Sequence, residues 1–206
     1  MTFDEALRQC PPIAILRGVQ PDEVAAIGIA LVACGVRIIE VPLNSPEPLA
    51  SVARLRASLG EAALVGVGTV LRPEEVDRSH AAGAQLVLSP NCDARVIERT
   101  VALGMASVPG VATPSEGFAA LAAGAHALKL FPFETIGAAG LKAWRSVFAP
   151  EVRMLPVGGI TVANLAACRR AGASGAGAGS SVYAPGDTPQ QVATKATALL
   201  DAWRAA

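Results

Sequence analysis

The chain lacks net charge, long apolar runs and paired cysteines, and each absence removes a class of function. Its 17 basic and 17 acidic side chains cancel, and no basic stripe stands out among its 206 residues. That balance argues against nucleic acid and anionic membranes as partners. Gly, Pro or a charge interrupts every apolar run before the roughly 18 residues that a bilayer span requires. The segment from Met1 to Arg8 is acidic and amphipathic, unlike a secretion signal. Cys10, Cys34, Cys92 and Cys168 are scattered, with no CxxC or Cys/His spacing. They read as buried or incidental thiols of a reducing cytoplasm. His80 and His126 are too few for a histidine-built zinc site, so no metal and no other cofactor is expected.

Lysine is also scarce, with three in the chain. Lys142 lies in a Leu-Lys-Ala-Trp-Arg stretch that reads as helix surface, and Lys195 in a Gln/Thr/Ala-rich terminal helix. Lys129 stands in His126-Ala127-Leu128-Lys129-Leu130-Phe131-Pro132, an apolar run with strand character. Strand alternation sends Leu128 and Leu130 to one face and Ala127, Lys129 and Phe131 to the other. Desolvating an ammonium costs several kcal/mol. Loss of the proton relieves that cost, and a neutral amine attacks ketones. The bland alternative is a lysine that snorkels to water or pairs with a buried carboxylate.

Apolar content of 52% with 17% charged residues indicates one well-filled globular domain over residues 1–206. A strand–helix alternation recurs about every 25 residues, the pattern of parallel βαβ units. Candidate strands fall at 12–17, 36–42, 63–68, 85–89, 105–109, 125–131, 153–158 and 173–179. Helical stretches between them include Asp22–Ala33, Pro73–Ala82, Asp93–Leu103, Pro114–Ala123, Gly137–Phe148 and Val162–Ala171. Five end in a glycine placed as a C-terminal stop: Gly35, Gly83, Gly104, Gly124 and Gly172. Eight units indicate an α/β (β/α)8 TIM barrel, although 206 residues is short for it. An open doubly wound sheet is the alternative.

Such barrels carry their chemistry at the C-terminal ends of the strands. Arg17, Glu40, Thr69, Pro90 and Lys129 all fall there. Alternation turns Ile38, Glu40 and Pro42 inward, so Glu40 and Lys129 converge near the mouth with Arg17. A buried structural ion pair is the competing explanation. The last two strands run into Val157-Gly158-Gly159-Ile160-Thr161 and Gly177-Ala178-Gly179-Ser180-Ser181. Loops at these positions commonly hold phosphate against a helix N-terminus, which Thr161 can cap here. An imine-forming lysine, an inward glutamate, an anion-binding arginine and a phosphate cradle suit a metal-independent aldolase acting on a phosphorylated keto acid. A phosphosugar epimerase or isomerase, or a non-catalytic phosphosugar-binding barrel, are the rival readings.

The motifs Ile13-Ala14-Ile15-Leu16-Arg17-Gly18, Ile39-Glu40-Val41-Pro42-Leu43-Asn44-Ser45-Pro46 and Gly66-Val67-Gly68-Thr69-Val70 resemble those of the KDPG/KHG aldolase family. So do Leu128-Lys129-Leu130-Phe131-Pro132, Val157-Gly158-Gly159-Ile160 and Gly177-Ala178-Gly179-Ser180. The resemblance spans nearly the whole chain, in order. It implies a class I, homotrimeric (β/α)8 enzyme of the cytoplasm that releases pyruvate and D-glyceraldehyde 3-phosphate from a phosphorylated keto acid. It also implies roles. Lys129 forms the imine and Glu40 moves protons. Arg17 and Thr69 anchor the substrate, while Pro90 and Phe131 wall the pyruvate pocket. Gly159, Gly179 and Ser180 hold the phosphate, and Gly158 belongs to the substrate site.

Two departures separate the chain from family members acting on the gluconate-type substrate. Those usually read Val-Thr-Leu-Arg-Thr after the glutamate, where this chain has Val41-Pro42-Leu43-Asn44-Ser45. They usually carry Thr before the paired glycines, where Val157 stands here. Valine offers an apolar wall in place of a hydroxyl, which points to the galactonate-type C4 epimer. Such discrimination is worth about 1–3 kcal/mol.

Overall fold

The computed structural model describes all 206 residues. Its first half runs α1 (Phe3–Gln9), β1 (Pro12–Ile15), α2 (Val24–Ala33), β2 (Ile38–Pro42), α3 (Pro48–Leu59), β3 (Leu64–Gly68), α4 (Pro73–Ala81) and β4 (Leu86–Leu88). Then follow α5 (Ala94–Ala102), β5 (Ala106–Val108), β6 (Gly110–Val111), α6 (Pro114–Ala122) and β7 (Leu128–Leu130). The chain closes with α7 (Phe133–Arg145), β8 (Met154–Pro156), α8 (Val162–Arg170), β9 (Ala176–Ala178) and α9 (Pro189–Arg204). No helix is long and apolar enough to cross a membrane.

The five glycine stops all operate. Gly35, Gly83, Gly104, Gly124 and Gly172 have φ between 73° and 104°. Each donates to the carbonyl three residues back, and the next residue donates to the carbonyl five back. At Gly35 these bonds run to Val32 and from Val36 to Leu31, both 3.0 Å. This double closure satisfies carbonyls the helix end leaves free and turns the chain into the next strand.

The strands are all parallel and bond in the order β5-β4-β3-β2-β1-β9, a curled six-stranded sheet, with β6-β7-β8 as a second sheet. The expected eight strands are therefore nine, in two hydrogen-bonded groups. The strand expected at 105–109 is β5, which stops at Val108, and Pro109, with no N–H to donate to a ladder, separates it from the two-residue β6 beyond. The groups nonetheless adjoin on both sides. His126 N–H, just before β7, donates to the Ser107 carbonyl of β5 (2.9 Å), and Ser174 N–H to that of Met154 (2.9 Å). Val157 and Gly177 form a further parallel bridge.

One other expectation needs correction. The helix expected over Gly137–Phe148 spans Phe133–Arg145, with Gly137 at φ 66° kinking it inside. Helix α3 fills the gap between the strands expected at 36–42 and 63–68, where the alternation calls for a helix but draws no bounds. Its N-cap, Glu47, lies in the left-handed region and makes no side-chain cap bond, so the usual polar start signal is missing.

Alternation along the strands divides the core in two. Ile39, Val41, Val65, Val67, Leu128 and Leu130 join the large layer beneath the helices. Ile13, Ile38, Leu64, Leu86, Ala127 and Leu155 form a smaller inner cluster, which Phe3, Ala6 and Leu7 of α1 complete. Burying each large aliphatic side chain contributes about 1.5–3 kcal/mol. A one-residue slip of β2 or β7 would exchange the faces and drive Glu40 or Lys129 into the helix-facing layer. The register that satisfies the core thus aims both charges at the inner face.

Candidate active site

Lys129 projects from the middle of β7 and is 6% exposed, while Glu40 projects from β2 and is 2% exposed. Both line a cavity of about 320 Å³ at the C-terminal ends of the strands. No salt bridge or hydrogen bond joins them, and Glu40 Oε2 is buried without any hydrogen-bond partner. The competing idea of a structural ion pair therefore lacks its geometry. Burial pushes the Lys129 ammonium below its ordinary pKa; the Glu40 charge opposes this and the Arg17 charge adds to it. Burial also raises the Glu40 carboxyl to about 7, against the pull of Lys129 and Arg17. Desolvation governs both groups, as it does where charges are buried without a partner. The Lys129 Nζ lies 4.7 Å from the centroid of the Phe131 ring, which covers it on one side.

The other expected residues line the same cavity. Arg17 reaches it from the loop after β1, Thr69 from that after β3 and Pro90 from that after β4; Phe131, Val157, Gly158, Gly159, Gly179 and Ser180 complete the set. Thr69 has φ 60°, a left-handed conformation that is strained for a β-branched residue. Such strain persists only where the surroundings impose it.

The glycine loops have the form an anion site needs. Gly158 and Gly159 have φ 108° and 62°, which side chains rarely tolerate. Asn164 Nδ2 donates to the Gly159 carbonyl (2.7 Å), and Thr161 N–H donates to Asn164 Oδ1 (2.9 Å). After β9, the N–H groups of Val182 and Tyr183 both bond the Gly179 carbonyl, closing a helical turn. The Tyr183 hydroxyl donates to Glu23 Oε1 (2.7 Å) and ties that turn to the start of α2. No protein carbonyl accepts from the N–H of Gly159, Gly179 or Ser180.

Some participants were not among the expected site residues. Ile15, Ile160, Thr161 and Gly177 also line the cavity. Ile15 was readable, since alternation from the inward Ile13 places it there. Asn44 was not: its Oδ1 accepts from Arg17 Nη1 at 2.6 Å, across 27 residues of sequence. Beside it, Ser45 Oγ accepts from Gly18 N–H (2.9 Å), so the loops after β1 and β2 are stitched together. Volume alone would have misled. A larger cavity of about 650 Å³ opens at the opposite ends of the strands, beside α1, His80 and His126. It contains no lysine and lies at the end that serves stability in this architecture.

Fold and site together define an α/β enzyme scaffold built around a buried lysine and two glycine loops. A sequence profile described as "KDPG and KHG aldolase" matches residues 3–193. The 2-dehydro-3-deoxy-6-phosphogalactonate aldolase of Escherichia coli (strain K12) is 43% identical over 196 residues, which covers 95% of this chain and 96% of that protein. The solved structure titled "Native KDPGal structure" superposes with a TM-score of 0.94 at 43% identity, covering 96% of both chains. A cage titled as designed by fusing symmetric oligomeric domains matches at TM-score 0.93 and 43% identity, over 96% of this chain and 73% of that one. The chain belongs to the KDPG and KHG aldolase family.

Proposed function

We propose that the chain is a class I aldolase that cleaves 2-dehydro-3-deoxy-6-phospho-D-galactonate to pyruvate and D-glyceraldehyde 3-phosphate. The observation that carries the chemistry is Lys129, nearly buried and lining one cavity with Glu40, with no salt bridge between them and Glu40 Oε2 left without a hydrogen-bond partner. The name of the relative that matches over 95% of the chain supports the substrate. So do Val157 and Asn44, which stand where gluconate-type enzymes usually have Thr and Arg.

Neutral Lys129 attacks the C2 ketone, and Glu40 transfers the protons needed to lose water from the carbinolamine. The protonated imine then accepts the electron pair of the C3–C4 bond as it breaks, while Glu40 takes the C4 hydroxyl proton. The aldehyde leaves, Glu40 returns the proton to C3 of the enamine, and water hydrolyses the imine to pyruvate. Arg17, held by Asn44, and Thr69 anchor the acid end. Gly159, Gly179 and Ser180 receive the phosphate through their backbone and hydroxyl donors. Pro90 and Phe131 wall the pyruvate pocket.

The two sheets are read as one (β/α)8 barrel domain over residues 1–206, supported by the bonds that join them on both sides. The protein is read as a cytoplasmic homotrimer. Exposed Phe118 and Val147 offer apolar surface for association, and the symmetric-oligomer title of a close structural match agrees.

Borohydride reduction in the presence of pyruvate tests the central claim. A pyruvyl adduct on Lys129, with faster cleavage of the galactonate-type substrate than of its C4 epimer, is the expected result. No adduct would favour an epimerase or a binding protein. An adduct with the reverse preference would favour a gluconate-type or KHG aldolase.

A further inference from the structure

We propose that Gly68 is a positioning residue for Glu40: the side chain it lacks is the space in which the Glu40 carboxylate stands. A Cβ built on Gly68 would lie 2.6 Å from Glu40 Cδ and Oε1, and closer still to Oε2. The three nearest atoms all belong to that carboxylate. Real side chains do not approach so closely, so a methyl at 68 and the present Glu40 cannot coexist.

The register explains the contact. Glu40 pairs with Gly66 and Pro42 with Gly68, so the Glu40 side chain leans one pair toward the mouth and settles over Gly68. Gly66 makes the same kind of room for a different neighbour, with Leu86 filling its face. Two inward glycines on β3 thus receive one hydrophobic and one acidic side chain.

The carboxylate has one direction of escape. Ile38, Leu64 and Leu86 fill the layer beneath it, leaving the cavity toward the mouth. The backbone cannot easily yield either. Leu43 N–H donates to the Gly68 carbonyl at 2.8 Å, and Thr69 already stands at φ 60°. Gly68 itself has no positive φ, so alanine meets no backbone obstacle and the carboxylate is the group that must move. Pushed outward, it leaves the place from which it faces Lys129 and regains water.

The inference rests on the reading of Glu40 as the proton carrier. In Gly68→Ala, kcat should fall about 100-fold, the cost of a displacement of about 1 Å in a catalytic group. The acidic limb of the kcat–pH profile should move to lower pH, because a carboxylate nearer water is less desolvated. Glu40→Asp withdraws the carboxylate by one methylene and should relieve the clash, so the double variant should be no slower than Gly68→Ala alone. Its melting temperature should also exceed that of Gly68→Ala, which keeps the test open if the single variant folds poorly. Unchanged kcat and pH profile in Gly68→Ala would overturn the inference. So would effects of the two changes that simply multiply, or a double variant no more stable than Gly68→Ala. Failure of the underlying reading looks different: Glu40→Gln would then turn over as fast as the unmodified enzyme.

Discussion

Lys129 and Glu40 face one cavity from β7 and β2, both almost wholly buried, and no salt bridge joins them. Each carries a desolvation penalty that a close partner would have relieved. The geometry leaves an amine inclined to lose its proton beside a carboxyl inclined to keep one. That is the condition a nucleophile and a proton carrier need near neutral pH.

Lys129→Arg should retain the fold and the positive charge while abolishing cleavage, since a guanidinium forms no imine. Mass spectrometry after pyruvate and borohydride treatment checks it. A pyruvyl adduct on the variant would mean that the nucleophile lies elsewhere.

Glu40→Gln should lower turnover roughly 10²–10⁴-fold by removing the proton carrier. In the parent, kcat should fall as pH drops through about 7, where the Glu40 carboxylate takes up its proton. Stability should move the other way. The carboxyl is raised from 4.5 to about 7 in the folded protein, so between those values the folded state keeps a proton that the unfolded chain has released. Rising pH across that window therefore costs stability, and Glu40→Gln escapes the cost. Its advantage in denaturant melts should grow from near zero below pH 4.5 to on the order of 3 kcal/mol above pH 7. A constant difference across that range would contradict the burial argument.

Asn44→Ala should release Arg17 from its 2.6 Å bond. Both side chains are exposed, so the effect is modest: KM should rise about three- to tenfold, with kcat nearly unchanged. A fall in kcat with KM unchanged would assign Asn44 to the chemistry and not to anchoring.

Val157→Thr should lower the preference for the galactonate-type substrate over its C4 epimer by about tenfold, for ~1.4 kcal/mol of differential transition-state binding. Steady-state kcat/KM for both substrates measures it, and an unchanged ratio would mean that position 157 does not read C4. Val157 is 6% exposed and its Cγ2 lies against the face of Gly177, so the variant should also melt earlier than its parent.

Chelation should leave turnover intact, because no three His, Cys, Asp or Glu side chains converge to hold a metal ion. Activity lost in EDTA and restored by Zn²⁺ or Mg²⁺ would overturn the class I assignment.

Much of this was present in one dimension. The period of two around Lys129 and Glu40 dictates that both charges turn away from the helices, because the aliphatic residues beside them claim the outer layer. The glycines after five helices determine where each helix stops, since a left-handed residue there is nearly free for glycine and costly for others. The places of the strands, though not their ends, and the loops at 158–159 and 179–180 follow from the same local rules.

Tertiary structure alone decided what those residues meet. That Lys129 and Glu40 form no salt bridge, that Asn44 grips Arg17 and that Gly68 leaves room for a carboxylate depend on strands or loops far apart in the chain. Pro109 separates β5 from β6 for a local reason, yet which carbonyl still receives a bond beside it depends on the neighbour. Periodicity sets the direction of a side chain. The distance to its partner, and so its desolvation, charge and reactivity, is set only when the strands assemble.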